Sequence, residues 1–210
     1  MKKSYISDAV IRRLPRYYRY LDDLHNKGFV RISSGVLGEK MGITASQIRQ
    51  DLSCFGEFGQ QGYGYNIQEL RKEVGHILGV DCNHSAIVVG VGNIGHALMN
   101  HFHFREAGFR LLAAFDVSQE VVGKAVAGVP VLPLSDMENF VREHCPDVAV
   151  LTVPQAAAQA TADRLISLGV RGFWNFTNLE LDLPPQGVSC ENVHFSDSLL
   201  TLSYWITPRE

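Results

Sequence analysis

A glycine-rich turn between an apolar run and a helical pattern is the feature that most constrains how this chain can fold. The run from Ser85 to Val89 ends in Gly90-x-Gly92-x-x-Gly95. In such a turn the first glycine permits a tight reversal, the second lets a pyrophosphate approach the backbone, and the third lets the helix pack close to the strand. The free N–H groups of that helix N-terminus suit an anion. The turn predicts a dinucleotide phosphate site formed by Gly90, Val91, Gly92, Asn93, Ile94 and Gly95.

A carboxylate follows at the position where such a site binds ribose. Asp116 lies 21 residues beyond Gly95, at the end of a second apolar run, with Val117 beside it. A carboxylate there accepts hydrogen bonds from the adenosine ribose and repels a 2′-phosphate, which favours NAD over NADP. The alternative interpretation is a glycine-tolerant turn between a strand and a helix that binds no ligand.

Strands and helices alternate through the second part of the chain. Apolar segments 111–115, 129–132, 146–152 and 172–177 alternate with helical patterns 93–104, 135–144 and 155–168. This order predicts an α/β fold with a doubly wound parallel sheet. Because ligands bind at the carboxyl ends of such strands, we expect the nicotinamide side to be lined by Thr152, Val153, Pro154, Asn175, Phe176 and Thr177.

Two short helices predicted near the N-terminus are typical of a helix-turn-helix. The first starts at Ser33-Ser34 and ends at Gly42, and Thr44 with Gln47 forms a capping box for the second, which runs to about Phe55. A recognition helix places its N-terminal residues in the major groove. We therefore expect DNA contacts from Ser46, Gln47, Arg49 and Gln50. An ordinary pair of antiparallel helices in an interaction domain is the alternative.

The stretch from Phe55 to Asn66 alternates glycines with aromatic residues. Gly59 and Gly62 bracket a two-residue turn formed by Gln60 and Gln61, which predicts a β-hairpin with bulges. A hairpin directly after a recognition helix is the wing of a winged helix, so we include Gln60, Gln61 and Tyr63 among the predicted DNA contacts.

The charge of the chain is unevenly distributed around a formal net charge of −3. Residues 1–80 carry 12 Lys/Arg against 8 Asp/Glu, whereas residues 81–210 carry 7 against 14. A basic N-terminal part on an acidic body indicates a polyanionic partner, although an uneven solvated surface would look the same. The predicted first helix adds Arg12, Arg13 and Arg16 as candidate DNA contacts, with Arg19 beyond them.

The C-terminal tail and several histidines are candidates for contacts with a partner subunit or a metal ion. The tail from Asp197 to Ile206 is apolar on most sides, which favours burial in a partner subunit. His96, His101, His103 and His194 could gather as metal ligands or supply a catalytic base, but hydrogen bonding at a surface or between domains is the favoured interpretation, and no metal is expected. Four distant cysteines without a CxxC pair, and no 18-residue apolar run, lead us to expect a soluble cytoplasmic protein.

Four stretches together resemble the Rex family of bacterial redox-sensing transcriptional repressors. They are residues 13–21 (RLPRYYRYL), 47–52 (QIRQDL), 55–59 with 62–65 (FGEFG and GYGY), and 89–95 (VGVGNIG). The resemblance implies a winged-helix domain at 1–80, a Rossmann-like NAD(H)-binding domain at 81–192 and a swapped dimerisation helix at 193–210. It also implies a homodimer that binds operator DNA with NAD+ and is released by NADH.

The sequence departs from the family pattern at a few positions. Gln60 and Gln61 stand where the wing usually carries Lys and Arg, and Gln50 stands where a second basic residue is frequent. The resemblance places Arg19, His101 and His194 in the interdomain switch, with His101 in place of an aromatic and His194 in place of a carboxylate. It also places Phe195 at the cofactor. The alternatives are an NAD(H)-binding relative with altered or lost DNA binding and an NAD-dependent dehydrogenase.

Overall fold

The computed structural model describes residues 6–56, 58–59 and 63–208. The chain forms two compact units, Met1–Cys82 and Asn83–Glu210. Their boundary lies two residues beyond residue 80, the predicted end of the first domain. The division into residues 1–80, 81–192 and 193–210 remains a prediction.

Four helices and a two-stranded sheet build the described part of the N-terminal unit. The long first helix packs against the fourth, and the second against the third. Side chains from all four helices and both strands form one apolar core. The elements are α1 (Asp8–Asn26), β1 (Arg31–Ile32), α2 (Ser34–Met41), α3 (Ala45–Ser53), β2 (Tyr65–Asn66) and α4 (Ile67–Ile77).

Helix α1 continues through Pro15, although a proline inside a helix usually kinks or ends it. Proline has no N–H, so the carbonyl of Ile11 loses its usual helical donor. Apolar packing stabilises the helix on both sides of this missing hydrogen bond, because Leu14 and Leu21 are buried in one core. The buried face includes Tyr17, which is fully buried, and the ring of Tyr18 is half-buried against the same core.

The helix-turn-helix forms where the capping residues predict it. Gly42 ends α2 in the left-handed region at φ 68°, and the Thr44 hydroxyl accepts a hydrogen bond from the Gln47 N–H at 3.1 Å. The Gln47 side chain turns away from the predicted capping box and donates to Asp51 at 2.7 Å. Helix α3 ends at Ser53, two residues before the predicted end.

The predicted wing is described only in part. Strand β2 pairs antiparallel with β1, with Ile32 opposite Tyr65. A Cβ added to Gly59 would lie 2.9 Å from the carbonyl oxygen of Gly64, so these two glycines lie close together. The tip, with Gln60 and Gln61, lies outside the described residues.

A seven-stranded sheet organises the second unit. The strand order is β5-β6-β4-β3-β7-β8-β9, with β5 antiparallel to β6 and every other pair parallel. Strand β3 is central, and the chain moves outward from it first toward β4 and then toward β7. The elements are β3 (His84–Val89), α5 (Asn93–His101), β4 (Phe109–Asp116), β5 (Ala125–Val126), β6 (Val129–Pro133), α6 (Met137–His144), β7 (Val148–Leu151), α7 (Gln155–Ser167), β8 (Gly172–Asn175), β9 (Ser189–Asn192) and α8 (Phe195–Ile206).

The two faces of this sheet are covered differently. Helices α6 and α7 bury Val141 and Leu165 against one face. The other face receives Met99 of α5 and the ring of Phe104. Beside these residues, over the β7 and β8 side, lies an apolar cavity of about 300 Å³ lined in part by Phe102 and Trp174. No helix in the described ranges is long and apolar enough to cross a membrane.

Replacing Gly38 in α2 should destabilise the helix-turn-helix. An alanine Cβ there would lie 2.5 Å from the Ile43 carbonyl oxygen and 3.3 Å from the Ala45 nitrogen, so the turn between α2 and α3 would have to open. Overpacking of this kind costs about 1–3 kcal/mol. Gly35→Ala in the same helix is the control, because its Cβ would meet only Ser33 Oγ at 3.7 Å. Thermal unfolding followed by circular dichroism compares the two, and equal melting temperatures would contradict the close approach.

Candidate nucleotide site and nucleic-acid interface

The three glycines of the turn occupy different environments. Gly90 has φ 96°, and a Cβ there would lie 2.8 Å from the Thr152 carbonyl carbon. A Cβ on Gly95 would overlap the Gly90 carbonyl oxygen and lie 2.8 Å from Thr152 Oγ1. A Cβ on Gly92 would have no neighbour within 4 Å. Gly90 and Gly95 are therefore required by the fold, whereas the space beside Gly92 is open to a ligand.

Thr152, directly after β7, is hydrogen-bonded to the glycine turn. Its hydroxyl donates to the Gly90 carbonyl at 2.6 Å and lies 3.2 Å from that of Val89. The sequence predicts Thr152 on the nicotinamide side, and the structure places its hydroxyl on the turn itself. The residue therefore shapes the site through the backbone of its neighbours.

The Asp116 carboxylate lies beside the same turn. One of its oxygens accepts the Val91 N–H at 2.5 Å, and the other accepts the Ser118 N–H at 2.8 Å. Each carboxylate oxygen can accept two hydrogen bonds, so both keep capacity for a ribose hydroxyl. Val117, next in the chain, is 74% exposed. The turn and the end of β4 thus meet at one place, as the spacing predicts.

Asn175 stabilises the loop after β8 and is only 1% exposed. Its amide nitrogen donates to Leu179 O at 2.7 Å and to Asn192 Oδ1 at 2.8 Å. Its oxygen accepts from the backbone and the hydroxyl of Thr177. All hydrogen-bonding groups of this amide are bound within the protein. Asn175 can therefore affect cofactor binding only through the loop whose conformation it stabilises.

The remaining residues predicted on the nicotinamide side lie at the carboxyl ends of β7 and β8. Val153 is half-buried and Pro154 precedes α7. Phe176 is buried, and its ring centroid lies 6.2 Å from that of Phe195, the first residue of α8. Phe195 itself is 58% exposed.

His194 belongs to a polar chain that the sequence did not reveal. Its Nε2 lies 3.0 Å from Glu180 Oε1, and Glu180 Oε2 accepts from Asn192 Nδ2 at 2.7 Å. Asn192 in turn accepts from Asn175, so hydrogen bonds link the end of β8 to the base of α8. Glu180 and Asn192 stand in a polar stretch with no apolar periodicity to single them out.

The other histidines do not converge with His194 on a metal site. His96 Nδ1 lies 3.2 Å from Asn100 Nδ2 on the next turn of α5, while His101 and His103 are exposed. Within the described ranges, no group of three or more His, Cys, Asp or Glu is arranged to hold a metal ion.

A buried ion pair joins α1 to α3 in the N-terminal unit. Asp51 is fully buried, and Arg13 donates to it through Nε at 2.6 Å and Nη2 at 2.8 Å. Tyr17 and Gln47 donate to the same carboxylate at 2.9 and 2.7 Å. Arg13 and Gln47, both predicted DNA contacts, thus have a protein partner that the charge pattern did not indicate.

The protonation of this group follows from its contacts. Burial alone would raise the pKa of Asp51, but hydrogen bonds from Arg13, Gln47 and Tyr17 outweigh it and hold that pKa below its ordinary value. Burial, reinforced by the bond to Asp51, raises the pKa of Tyr17. The carboxylate is therefore charged and the phenol neutral around neutral pH.

The other predicted DNA contacts that the structure describes lie at the surface of the same unit. Arg16 donates to the Met41 carbonyl at 2.8 Å, and Arg49 donates to Ser34 Oγ at 3.0 Å. Ser46, Gln50 and Arg49 are exposed on α3. Exposed side chains also include Arg12 and Arg19 on α1, and Tyr63 before β2.

Two family models match the chain. One, described as the N-terminus of a putative DNA-binding protein, matches residues 5–53 and so spans α1 to α3. The other, described as a CoA binding domain, matches residues 81–179, which include the glycine turn and Asp116.

Similar proteins and structures cover nearly the whole chain. The redox-sensing transcriptional repressor Rex of Clostridium beijerinckii is 48% identical over 209 residues, 100% of this chain and 99% of its own length. That of Clostridioides difficile is 48% identical over 199 residues, 95% and 94% of the two chains. A crystal structure of RSP with beta-NAD+ and operator DNA matches with TM-score 0.90 and 47% identity, over 97% of this chain and 93% of that one. RSP with beta-NADH matches with TM-score 0.89 and 44% identity, over 97% and 95%. The chain belongs to the Rex family of redox-sensing transcriptional repressors.

Proposed function

We propose that this protein binds operator DNA as a homodimer and is released when NADH binds, so that transcription follows the NADH/NAD+ ratio. The observation that carries the proposal is the match over 97% of the chain to a repressor whose structure holds both beta-NAD+ and operator DNA. A DNA-binding regulator works where the DNA is, which in a bacterium is the cytoplasm.

The residues of the glycine turn fit a dinucleotide. The open space beside Gly92 lets a pyrophosphate approach, and the first turn of α5 offers unpaired N–H groups to it. Asp116 lies beside the turn with acceptor capacity for a ribose. Bound NAD(H) would supply a ligand with two redox states, whose occupancy can then control DNA binding. Thr152, Val153, Pro154, Asn175, Phe176 and Phe195 are the residues we propose for the nicotinamide side.

The exposed surface of α3 fits the major groove. Arg49 and Gln50 project from the helix together with Ser46, and all three are exposed. An arginine can bind the O6 and N7 of guanine with two hydrogen bonds. Arg12 and Arg16 on α1 and Tyr63 near the wing are the proposed backbone contacts. Gln60 and Gln61 remain predicted contacts of the wing tip.

Catalysis is the less supported alternative. The curated relatives carry the name of repressors.

Helix α8 supports the proposed homodimer. None of its residues is buried, and Leu199, Leu202 and Trp205 are 67%, 54% and 75% exposed. Exposed apolar surface of this extent marks an interface. The uncovered apolar cavity beside Phe102 and Trp174 is a second surface in the same unit that a partner can cover. A second copy that packs its α8 against this unit would bury both.

Gly92→Ala should abolish NADH binding without loss of stability. Its Cβ would meet no protein atom within 4 Å, and its φ of −71° suits alanine, so only the ligand is obstructed. Gly95→Ala is the matched comparison: its Cβ overlaps the Gly90 carbonyl, so it should lower the melting temperature as well. Calorimetric titration and thermal unfolding separate the two effects. NADH binding to Gly92→Ala at unchanged affinity would refute the site.

NADH should release the protein from operator DNA, whereas NAD+ should not. A gel-shift titration on promoter DNA with each nucleotide measures this directly. The Gly92→Ala variant is the control, because it should still bind DNA and no longer respond to NADH. If the unmodified protein binds NADH but retains operator affinity in its presence, the redox-sensing proposal fails.

Charged substitutions on α8 should dissociate the dimer. Leu202→Asp with Trp205→Asp places two carboxylates on surface that we propose to be buried, where each unpaired charge is costly. Ser203→Asp on the same exposed helix is the control for added charge. Sedimentation velocity should show monomers for the first variant and dimers for the second. A stable dimer in both would exclude this surface of α8 from the interface.

A further inference from the structure

We propose that Asp51 is a positioning residue for DNA recognition, and that Arg13 serves as its internal partner instead of binding a DNA phosphate. The buried carboxylate, bound by two residues of α1, sets the rotation of the recognition helix α3. This inference rests on the proposed function, because it concerns how the helix that reads DNA is oriented.

Four hydrogen bonds use the full acceptor capacity of the Asp51 carboxylate. Oδ2 accepts from Arg13 Nε at 2.6 Å and from the Tyr17 hydroxyl at 2.9 Å. Oδ1 accepts from Arg13 Nη2 at 2.8 Å and from Gln47 Nε2 at 2.7 Å. The Arg13 side chain is 25% exposed, and that of Asp51 is 0% exposed. A two-pronged bond between guanidinium and carboxylate constrains orientation as well as distance.

The apolar core by itself fixes the rotation of helix α3 only weakly. It has nine residues, and its buried apolar side chains are Ile48 and Leu52. Apolar contacts are non-directional, so two of them leave a short helix freedom to roll about its axis. Asp51 lies on the same buried side, and its bonds to α1 are directional. The rotation that they set decides where Arg49 and Gln50 point.

The same contacts change which residues of α3 can read bases. One of the two N–H groups of the Gln47 amide is bound to Asp51, which ties this side chain to the inner side of α3. Recognition of adenine by glutamine needs the donor and the acceptor of the amide to face the base together. Gln47 in this arrangement supports the helix, and base recognition falls to Ser46, Arg49 and Gln50.

The test uses the full chain and replaces the pair by apolar residues. Replacing a buried ion pair by apolar side chains of similar volume is often tolerated, so Arg13→Met with Asp51→Leu should fold. Its affinity for operator DNA and for an unrelated duplex is measured between about 50 and 200 mM salt, where each lost phosphate contact lowers the slope by about 0.9.

We expect operator affinity to fall by about tenfold or more, with affinity for the unrelated duplex within about twofold, the salt slope unchanged and NADH affinity unchanged. A slope lowered by about 0.9, with both duplexes weakened equally, would make Arg13 a phosphate contact and overturn the proposal. Operator affinity within about twofold of the unmodified protein would overturn it as well.

Tyr17→Phe decides the question if the double variant does not fold. It removes one hydroxyl from the cluster and leaves the Arg13–Asp51 pair intact. We expect a selective loss of operator affinity, smaller than that of the double variant, at an unchanged salt slope, and unchanged operator affinity would overturn the proposal. Arg49→Ala, which removes a proposed base contact, shows the loss that the assay can resolve. An unmodified protein that binds NADH but no operator DNA would instead refute the proposed function.

Discussion

The close approach of α5 to the turn after β3 is the contact on which the second unit depends. It exists because Gly95 has no side chain where the Gly90 carbonyl lies. That approach lets the Thr152 hydroxyl reach the same carbonyl. Three segments distant in sequence, the turn and the ends of β4 and β7, thereby meet around the N-terminus of α5. The parallel sheet supplies the common edge at which this is geometrically possible, since all its parallel strands end on the same side.

The N-terminal unit is stabilised on a different principle. Its apolar core holds the helices together, but α3 contributes few buried side chains to it. The buried carboxylate of Asp51 accepts three hydrogen bonds from Arg13 and Tyr17, and these supply the directional contacts between α1 and α3. Removing one partner of such a buried pair would leave an uncompensated charge, which is strongly destabilising. The helix proposed to read DNA is thus oriented by polar bonds on its inner side, which leaves its outer side available for contacts.

Sequence patterns predicted the fold well where apolar residues repeat at short range. The four apolar segments beyond the glycine turn all contain strands, and the helix caps at Ser33 and Thr44 accept the expected N–H groups. Strand β9 was missed because its residues, Ser-Cys-Glu-Asn, carry no apolar alternation, and only pairing with β8 makes it a strand.

By itself, the sequence determined the position of the nucleotide turn, the carboxylate that follows it, and the order of strands and helices. These depend on short-range spacing, on steric limits at glycine and on local capping. Only the tertiary structure decided which polar side chains have their hydrogen-bonding groups bound within the protein. Arg13 is bound to a carboxylate 38 residues away, and Thr152 to a carbonyl 62 residues away. Partners that distant are brought together by the packing of whole elements, and no local pattern records them.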